Sequence, residues 1–191
     1  KSRVPVPTAE GVDIFVKNNA VATNPVDLKV LGGEGEKTGR VIGCDAVGTV
    51  VAVGPATQRF KVGDRVYYSG AIGKPGSFAE YTRVDERIVA LAPAKLSDAD
   101  AAAIPLVGLT AFEGLTEKLG LSAPDSIGKS ILVLPGAGGV GSMVIQLAKH
   151  VLSMHVIATA SRPETIAYCE KMGADHAINH REPLRPQLEA L

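Results

Sequence analysis

The pattern of hydrophobic and polar positions in the first half of the chain predicts β-strands. Short runs rich in Val, Ile, Phe and Tyr are separated by Gly, Pro and Asp, which are turn-forming residues. The expected strands are residues 12–23, 46–53, 65–69, 78–84 and 88–91. Strands of this length and spacing indicate a compact antiparallel barrel or sandwich. Residues 31–40 contain four glycines and few apolar side chains, so we expect a loop there.

After Pro93 the pattern changes to alternating helices and strands. Ser97, followed three residues later by Asp100, predicts a helix start, whereas Pro105 is expected to interrupt the helical pattern. The remaining expected elements are a helix over 109–119, a strand over 130–134, a helix from 142 to 152, a strand over 155–160, a helix from 163 to 173 and a short strand over 176–178. This β-α-β-α-β order predicts a parallel, doubly wound sheet. The fold class is therefore α/β, and we divide the chain into residues 1–100 and 101–191.

Charge and composition exclude several classes of function. The 20 basic and 20 acidic residues balance, which gives no sign of a nucleic-acid or anionic membrane partner. No apolar run approaches the length of a membrane span, so we expect no membrane partner. The two cysteines, Cys44 and Cys169, are too few for a disulfide framework, which favours a reducing, cytoplasmic location.

A glycine-rich motif carries the sharpest functional signal. Residues 136–141 read Gly136-Ala137-Gly138-Gly139-Val140-Gly141 and fit the dinucleotide-binding pattern G-x-G-x-x-G. A predicted strand precedes the motif and a predicted helix follows it, as a Rossmann phosphate loop requires. The glycines would allow a tight turn, close approach of the backbone to a diphosphate, and close packing of helix on strand. The alternative is a strand-to-helix turn that binds no ligand.

The end of the next strand bears on which dinucleotide would bind. NAD enzymes with this fold place an acidic residue about 20 positions after the glycine loop, where it binds the ribose hydroxyls. Here the corresponding residue is Ala160, followed by Ser161 and Arg162. A carboxylate would repel a 2′-phosphate, whereas Arg162 could pair with it. We therefore expect NADP(H), unless Arg162 is only a solvated charge at a helix start.

Several stretches together resemble the medium-chain dehydrogenase/reductase superfamily, and within it the quinone oxidoreductase, zeta-crystallin-like branch. The matching stretches are Asn24-Pro25-Val26-Asp27, Gly43-Cys44-Asp45-Ala46-Val47-Gly48, Val51-Ala52-Val53-Gly54, Val62-Gly63-Asp64-Arg65-Val66, residues 101–104, Leu109-Thr110-Ala111 and the glycine motif. The resemblance implies a GroES-like β-barrel domain followed by a Rossmann domain, with the active site in the cleft between the two.

Many members of that superfamily hold a catalytic zinc ion, and this chain departs from their pattern. Asn24 stands where those members have a cysteine, and Gly43-Cys44-Asp45 replaces a Gly-His-Glu triplet. Zinc needs three or four convergent ligands. Cys44 and Asp45 are adjacent, so in a strand they would point to opposite faces. We therefore expect no metal.

Without a metal, the chemistry that the resemblance implies is reduction of a quinone or an α,β-unsaturated carbonyl by hydride transfer from NADPH. The same resemblance places Asn24 near the nicotinamide, assigns Asp27 to the substrate cleft, and makes Thr110 a candidate cofactor contact. Asn24-Pro25 could instead form only a turn, and Asp27 only a helix cap. Tyr67 and Tyr68 are candidate proton donors, although tyrosines in strands are usually packing residues.

The number of strands indicates that this is part of a longer chain. A complete Rossmann domain has six strands, and the sequence predicts three before Leu191. We also expect the opening strand of the first domain to be absent from this sequence. We therefore expect a truncated Rossmann domain, and expect these 191 residues alone to be poorly soluble or inactive.

Three hypotheses follow. The first is a zinc-free, NADPH-dependent quinone or enone reductase, a homodimer in the complete protein, acting on a small-molecule carbonyl or quinone. The second is a non-catalytic NADPH-binding protein with a crystallin-like role. The third is a zinc-type alcohol dehydrogenase with unusual ligands, of which Cys44 would be the first to test.

Overall fold

The computed structural model describes residues 8–32, 40–71 and 73–191. The chain divides into two compact units, Lys1–Leu106 and Val107–Leu191. The loop expected over residues 31–40 falls mostly on residues 33–39, which lie outside the described residues. The domain boundary expected at residue 100 stays a prediction.

The first unit is built on a five-stranded antiparallel sheet in the order β4-β1-β2-β3-β5. Its strands are β1 (Asp13–Ala22), β2 (Asp45–Val53), β3 (Arg65–Ser69), β4 (Tyr81–Asp85) and β5 (Val89–Leu91). A short helix, α1 (Pro25–Leu31), lies between β1 and β2 in the chain, and a 3-10 turn (Glu86–Ile88) precedes β5. Buried Ile14, Val16, Val50, Val66 and Tyr68 form the main core of this sheet. The antiparallel first domain is therefore confirmed.

Two short helices follow the sheet. Helix α2 (Asp98–Ala102) begins at Ser97, whose hydroxyl accepts a hydrogen bond from the Asp100 amide, as expected for an N-cap. Buried Ala101 and Ala102 pack against Val47 of β2. Helix α3 (Pro105–Glu113) begins at Pro105 and continues into a π-helical turn (Gly114–Lys118). The interruption expected at Pro105 is present, because α2 ends at Ala102 and a separate helix begins at Pro105. That second helix starts four residues before the expected residue 109, since proline is well tolerated at the first helical position.

The second unit contains a three-stranded parallel sheet in the order β6-β7-β8. Its elements are α4 (Ala123–Ser126), β6 (Ser130–Val133), α5 (Gly139–His150), β7 (His155–Thr159), α6 (Pro163–Lys171), β8 (His176–Ile178) and α7 (Leu184–Glu189). Ile145 of α5 and Val156 of β7 are fully buried in the core between helix and sheet. The parallel β-α-β-α-β arrangement is confirmed, and the α/β fold class with it. Of the helices among the described residues, none is both long and apolar enough to cross a lipid bilayer.

Candidate functional site

The glycine motif forms the connection from β6 to α5, and two of its glycines are required by the packing of the chain itself. A Cβ atom on Gly136 would lie 2.8 Å from both Ala158 Cβ and Cys169 Sγ. A Cβ on Gly141 would overlap the carbonyl oxygen of Pro135. These two glycines therefore permit the close approach of helix, loop and strand that the motif predicts.

Gly138 differs from these two, because no residue in the described part of the chain requires a glycine there. Its φ of −81° is open to any residue. A Cβ on Gly138 would meet only Pro135 Cγ, at 3.9 Å, an ordinary van der Waals distance. The space beside Gly138 is therefore open from the side of the protein, as it must be if the backbone is to approach a ligand.

Gly138 is also the N-cap of α5, and it offers no side chain to cap the helix. The first N–H groups of a helix lack partners within the helix, and they lie at the positive end of its dipole. The first turn, which contains Gly139 and Val140, carries no acidic residue that would compete for these groups. The arrangement suits an anionic ligand such as a diphosphate.

A cleft of about 310 Å³ opens beside this loop, at the carboxyl end of β7. It is lined by Pro135, Ala137, Thr159, Ala160, Ser161, Arg162, Thr165, His180 and Arg181. Thr159 is fully buried, and its hydroxyl has no hydrogen-bond partner among the residues that the structure describes. A buried hydroxyl without a partner is unfavourable, so it is a candidate donor to a ligand in the cleft.

The structure brings the predicted residues Ala160, Ser161 and Arg162 together in this cleft with Ala137 of the glycine motif. Thr110 lies instead on an exposed part of α3 and does not line the cleft.

Sequence reasoning missed Thr165, His180 and Arg181 as lining residues. The signal for the last two was present, since both follow β8, and ligands bind outside the carboxyl ends of parallel strands.

Positive charge reaches the cleft from two segments of the chain. Arg162 Nε lies 2.7 Å from Glu164 Oε1, in a pair whose side chains are 62% and 67% exposed, so this pair is weak. The main-chain N–H of Arg181 donates to Asn179 Oδ1 at 3.0 Å, which fixes the turn after β8. Within the described part of the chain, the guanidinium of Arg181 makes no ion pair.

A second polar cluster lies in the first unit, where Asn24, Asp27 and Asp45 meet. Asn24 is the N-cap of α1, and its main-chain N–H donates to Asp27 Oδ2 at 2.7 Å. The Asn24 side chain donates through Nδ2 to Asp45 Oδ2 at 2.9 Å. Asp45 Oδ1 accepts the main-chain N–H of Leu106 at 2.8 Å. Asp27 therefore has a helix-capping contact, and Asn24 connects it to Asp45.

Burial controls the ionisation of this cluster. Asp45 is fully buried, which raises the pKa of its carboxyl from 3.8 to about 6, although the hydrogen bonds from Asn24 and Leu106 lower it. Burial, followed by the charges of Asp27 and Asp45, also raises the pKa of the Cys44 thiol. Cys44 is thus a thiol rather than a thiolate at neutral pH. Among the described residues, no three His, Cys, Asp or Glu side chains are grouped closely enough to hold a metal ion.

Tyr68, one of the candidate proton donors, is a packing residue. Its hydroxyl donates to Asn18 Oδ1 at 2.8 Å, and its side chain is 2% exposed. Burial raises the pKa of Tyr68 to about 12.

Comparison with known proteins supports the fold of both units. Residues 10–94 match the family described as alcohol dehydrogenase GroES-like domain, and residues 139–191 match the family described as zinc-binding dehydrogenase. The chain belongs to the medium-chain dehydrogenase/reductase superfamily. The resemblance inferred from the sequence motifs is therefore confirmed at the level of the superfamily.

Relatives within the medium-chain dehydrogenase/reductase superfamily carry names that indicate different activities. A zinc-type alcohol dehydrogenase-like protein of Staphylococcus aureus (strain MRSA252) is 47% identical over 96% of this chain and 55% of its own length. The NADPH-dependent alkenal/one oxidoreductase of Arabidopsis thaliana is 42% identical over 94% of this chain and 48% of its own length. The solved quinone oxidoreductase of Coxiella burnetii is 31% identical, with a TM-score of 0.82 over 98% of this chain and 59% of that one. The chain spans about half the length of the curated relatives it matches.

Proposed function

We propose that the protein to which this chain belongs is an NADPH-dependent reductase of quinones or α,β-unsaturated carbonyl compounds that works without zinc. The observation that carries the proposal is the open space beside Gly138, where the chain uses a glycine that its own packing does not require. A bound diphosphate explains that glycine, because a methyl group there would occupy the space through which the diphosphate approaches the backbone.

The cleft beside the loop suits the adenosine ribose of NADPH and its 2′-phosphate. Ala160 puts no carboxylate where a ribose 2′-phosphate would lie, and Arg162 and Arg181 supply positive charge on the same cleft. The buried Thr159 hydroxyl would gain a partner from a bound ribose or phosphate. The alkenal/one oxidoreductase relative, which is named as NADPH-dependent, supports the same cofactor.

The donor set in the first unit does not fit a zinc ion, in spite of the zinc-type names of several relatives. Cys44 is a half-buried free cysteine. Both carboxylate oxygens of Asp45 already accept hydrogen bonds, and Asn24 stands where a third ligand would be needed. Within the described ranges, no other group of ligands takes their place.

Bound NADPH would supply the hydride for the reduction. The residues of this chain would hold the cofactor by its phosphates and orient the reactants. We assign Asn24 to a polar contact with the reactants, and Asp27 to holding the main chain of Asn24 through the cap of α1. Thr110 stays a proposed cofactor contact. The homodimer and the cytoplasmic location stay predictions.

The test is NADPH oxidation by the complete protein with an ortho-naphthoquinone and with a short enone. We expect turnover of at least one acceptor, a preference for NADPH over NADH, and no requirement for added metal. Tight NADPH binding without turnover of any acceptor would instead support a non-catalytic cofactor-binding protein. One tightly held zinc ion per chain, needed for activity, would favour a zinc alcohol dehydrogenase with unusual ligands.

A further inference from the structure

We propose that Asp45 is a positioning residue, whose buried carboxylate fixes the orientation of the Asn24 carboxamide so that Asn24 presents its oxygen to the reactants. The inference rests on the proposed reductase function for what Asn24 contacts, but the positioning itself can be tested without turnover.

The hydrogen bonds of Asp45 determine which way the carboxamide points. Asp45 Oδ1 accepts the Leu106 N–H at 2.8 Å, and Asp45 Oδ2 accepts Asn24 Nδ2 at 2.9 Å. An ionised carboxylate can only accept hydrogen bonds, so the nitrogen of the Asn24 carboxamide must face it. The Asn24 oxygen is then directed away from Asp45.

Asn24 is held from a second direction by its main chain. The Asn24 N–H donates to Asp27 Oδ2 at 2.7 Å, and Asp27 is itself 5% exposed. The backbone and the side chain of Asn24 are therefore each fixed by a different buried carboxylate. Positioning a polar group in advance in this way reduces the ordering cost when a ligand binds.

The oxygen of Asn24 is the group that this arrangement leaves available. Asn24 is half-buried, and with its carboxamide nitrogen bound to Asp45 it keeps its oxygen on the opposite side of the carboxamide group. It offers an acceptor for a hydroxyl or amide N–H, such as those of a ribose or a nicotinamide carboxamide. Keeping a carboxylate buried at Asp45 is costly, as its raised pKa shows, and such groups are concentrated at functional sites.

The test is a double-mutant cycle in the complete protein with Asp45→Asn and Asn24→Ala. An asparagine at 45 can still accept the Leu106 N–H, but its own NH₂ then faces Asn24 and favours a reversed carboxamide. We expect each single variant to lower kcat/KM by roughly tenfold, the equivalent of one hydrogen bond. The double variant should be no worse than Asn24→Ala alone, because Asp45 acts through Asn24.

The matched control is Ser77→Ala. The buried Ser77 hydroxyl donates to the main-chain oxygen of Asp45 at 3.0 Å, so its loss disturbs the same strand without touching the Asn24 carboxamide. We expect kcat/KM within about twofold of the wild type for this variant. An equal loss in Ser77→Ala, or additive losses in the double variant, would show that Asp45 is only structural and would overturn the inference.

The NMR signals of the Asn24 side-chain NH₂, assigned by their loss in Asn24→Ala, provide a readout that does not need activity. We expect them to shift strongly in Asp45→Asn and to stay in place in Ser77→Ala. If they shift as expected but the wild type turns over no acceptor, the reductase proposal fails and the positioning stands. If they do not move in Asp45→Asn, the positioning is wrong whatever the activity.

Discussion

Two alanine substitutions in the same glycine motif should have opposite consequences. Gly138→Ala adds a methyl group where the chain leaves space, whereas Gly141→Ala adds one where the chain is already in contact. If the motif binds a diphosphate, the first variant should lose cofactor affinity and keep its stability. The second should lose stability before any effect on binding is considered.

The expected loss of stability in Gly141→Ala follows from the backbone around it. The new Cβ would overlap the Pro135 carbonyl oxygen and lie 2.7 Å from the Gly136 carbonyl oxygen. Backbone atoms cannot rotate away as a side chain can, so the overlap must move α5 relative to the loop. Overpacking of this kind costs about 1–3 kcal/mol, and each kcal/mol lowers the Tm of a domain of this size by about 2–4 °C.

The expected loss of affinity in Gly138→Ala follows from the ligand alone. Alanine accepts the φ of −81°, and its Cβ would be 3.9 Å from Pro135 Cγ, so the Tm should change by no more than about 1–2 °C. The methyl group would keep the diphosphate from one or two N–H groups. Hydrogen bonds to charged groups contribute about 1.5–3 kcal/mol each, so Kd should rise by roughly tenfold to a hundredfold or more.

The assay is a fluorescence titration of the complete protein with NADPH, paired with thermal unfolding in the absence of cofactor. Unchanged NADPH affinity in Gly138→Ala would show that the motif does not bind the diphosphate, and the proposed function would lose its main support. A Gly141→Ala variant as stable as the wild type would show that the packing argument is wrong.

Three further predictions can be checked on the same protein. Arg162→Ala and Arg181→Ala should each raise the Kd for NADPH by roughly tenfold and leave the Kd for NADH within about twofold, because only NADPH carries the 2′-phosphate. Equal effects on both cofactors in parallel titrations would contradict this role. Because burial raises the pKa of Asp45 from 3.8 to about 6, its protonated form favours folding, a contribution that is present below about pH 4 and lost as the pH rises through about 6. Denaturant unfolding should therefore show the wild type losing up to about 3 kcal/mol relative to Asp45→Asn between pH 4 and pH 7, and a constant difference would refute the shift. Finally, a strong zinc chelator should leave turnover within about twofold, and metal analysis should find far less than one zinc ion per chain; chelation that abolishes turnover would restore the zinc hypothesis.

The sequence predicted those elements whose signal is local and continuous. The strands β3 (Arg65–Ser69) and β8 (His176–Ile178) have the bounds expected from their apolar residues. The glycine motif was equally accessible, because its strand, turn and helix follow one another directly along the chain. Even there, α5 begins at Gly139, three residues before the expected start, because the last glycines form its first turn.

Proline explains the main errors in the helices. The helical pattern is interrupted before Pro105 as expected, but α3 begins at that proline and not at residue 109. Helix α7 (Leu184–Glu189) was not predicted, although it contains Pro186 near its start. In a first turn the missing N–H of proline costs nothing, since that N–H has no partner within the helix. A proline thus marks a helix start or a helix break, and the local sequence distinguishes these poorly.

The contacts that organise the Asn24 cluster have a different origin, which explains why the sequence did not reveal them. Asn24 and Asp45 are 21 residues apart, and Asp45 and Leu106 are 61 apart, so no spacing rule connects them. The expectation that the adjacent Cys44 and Asp45 would point to opposite faces of a strand, which was used against a zinc site, stays a prediction, because β2 begins only at Asp45. Sequence reasoning could not show that Asp45 would be fully buried with a donor on each oxygen. This arrangement gives the Gly43-Cys44-Asp45 triplet a different interpretation. Asp45 does not bind a metal ion in our proposal, but accepts a hydrogen bond from the Asn24 carboxamide and so acts on the reaction through Asn24.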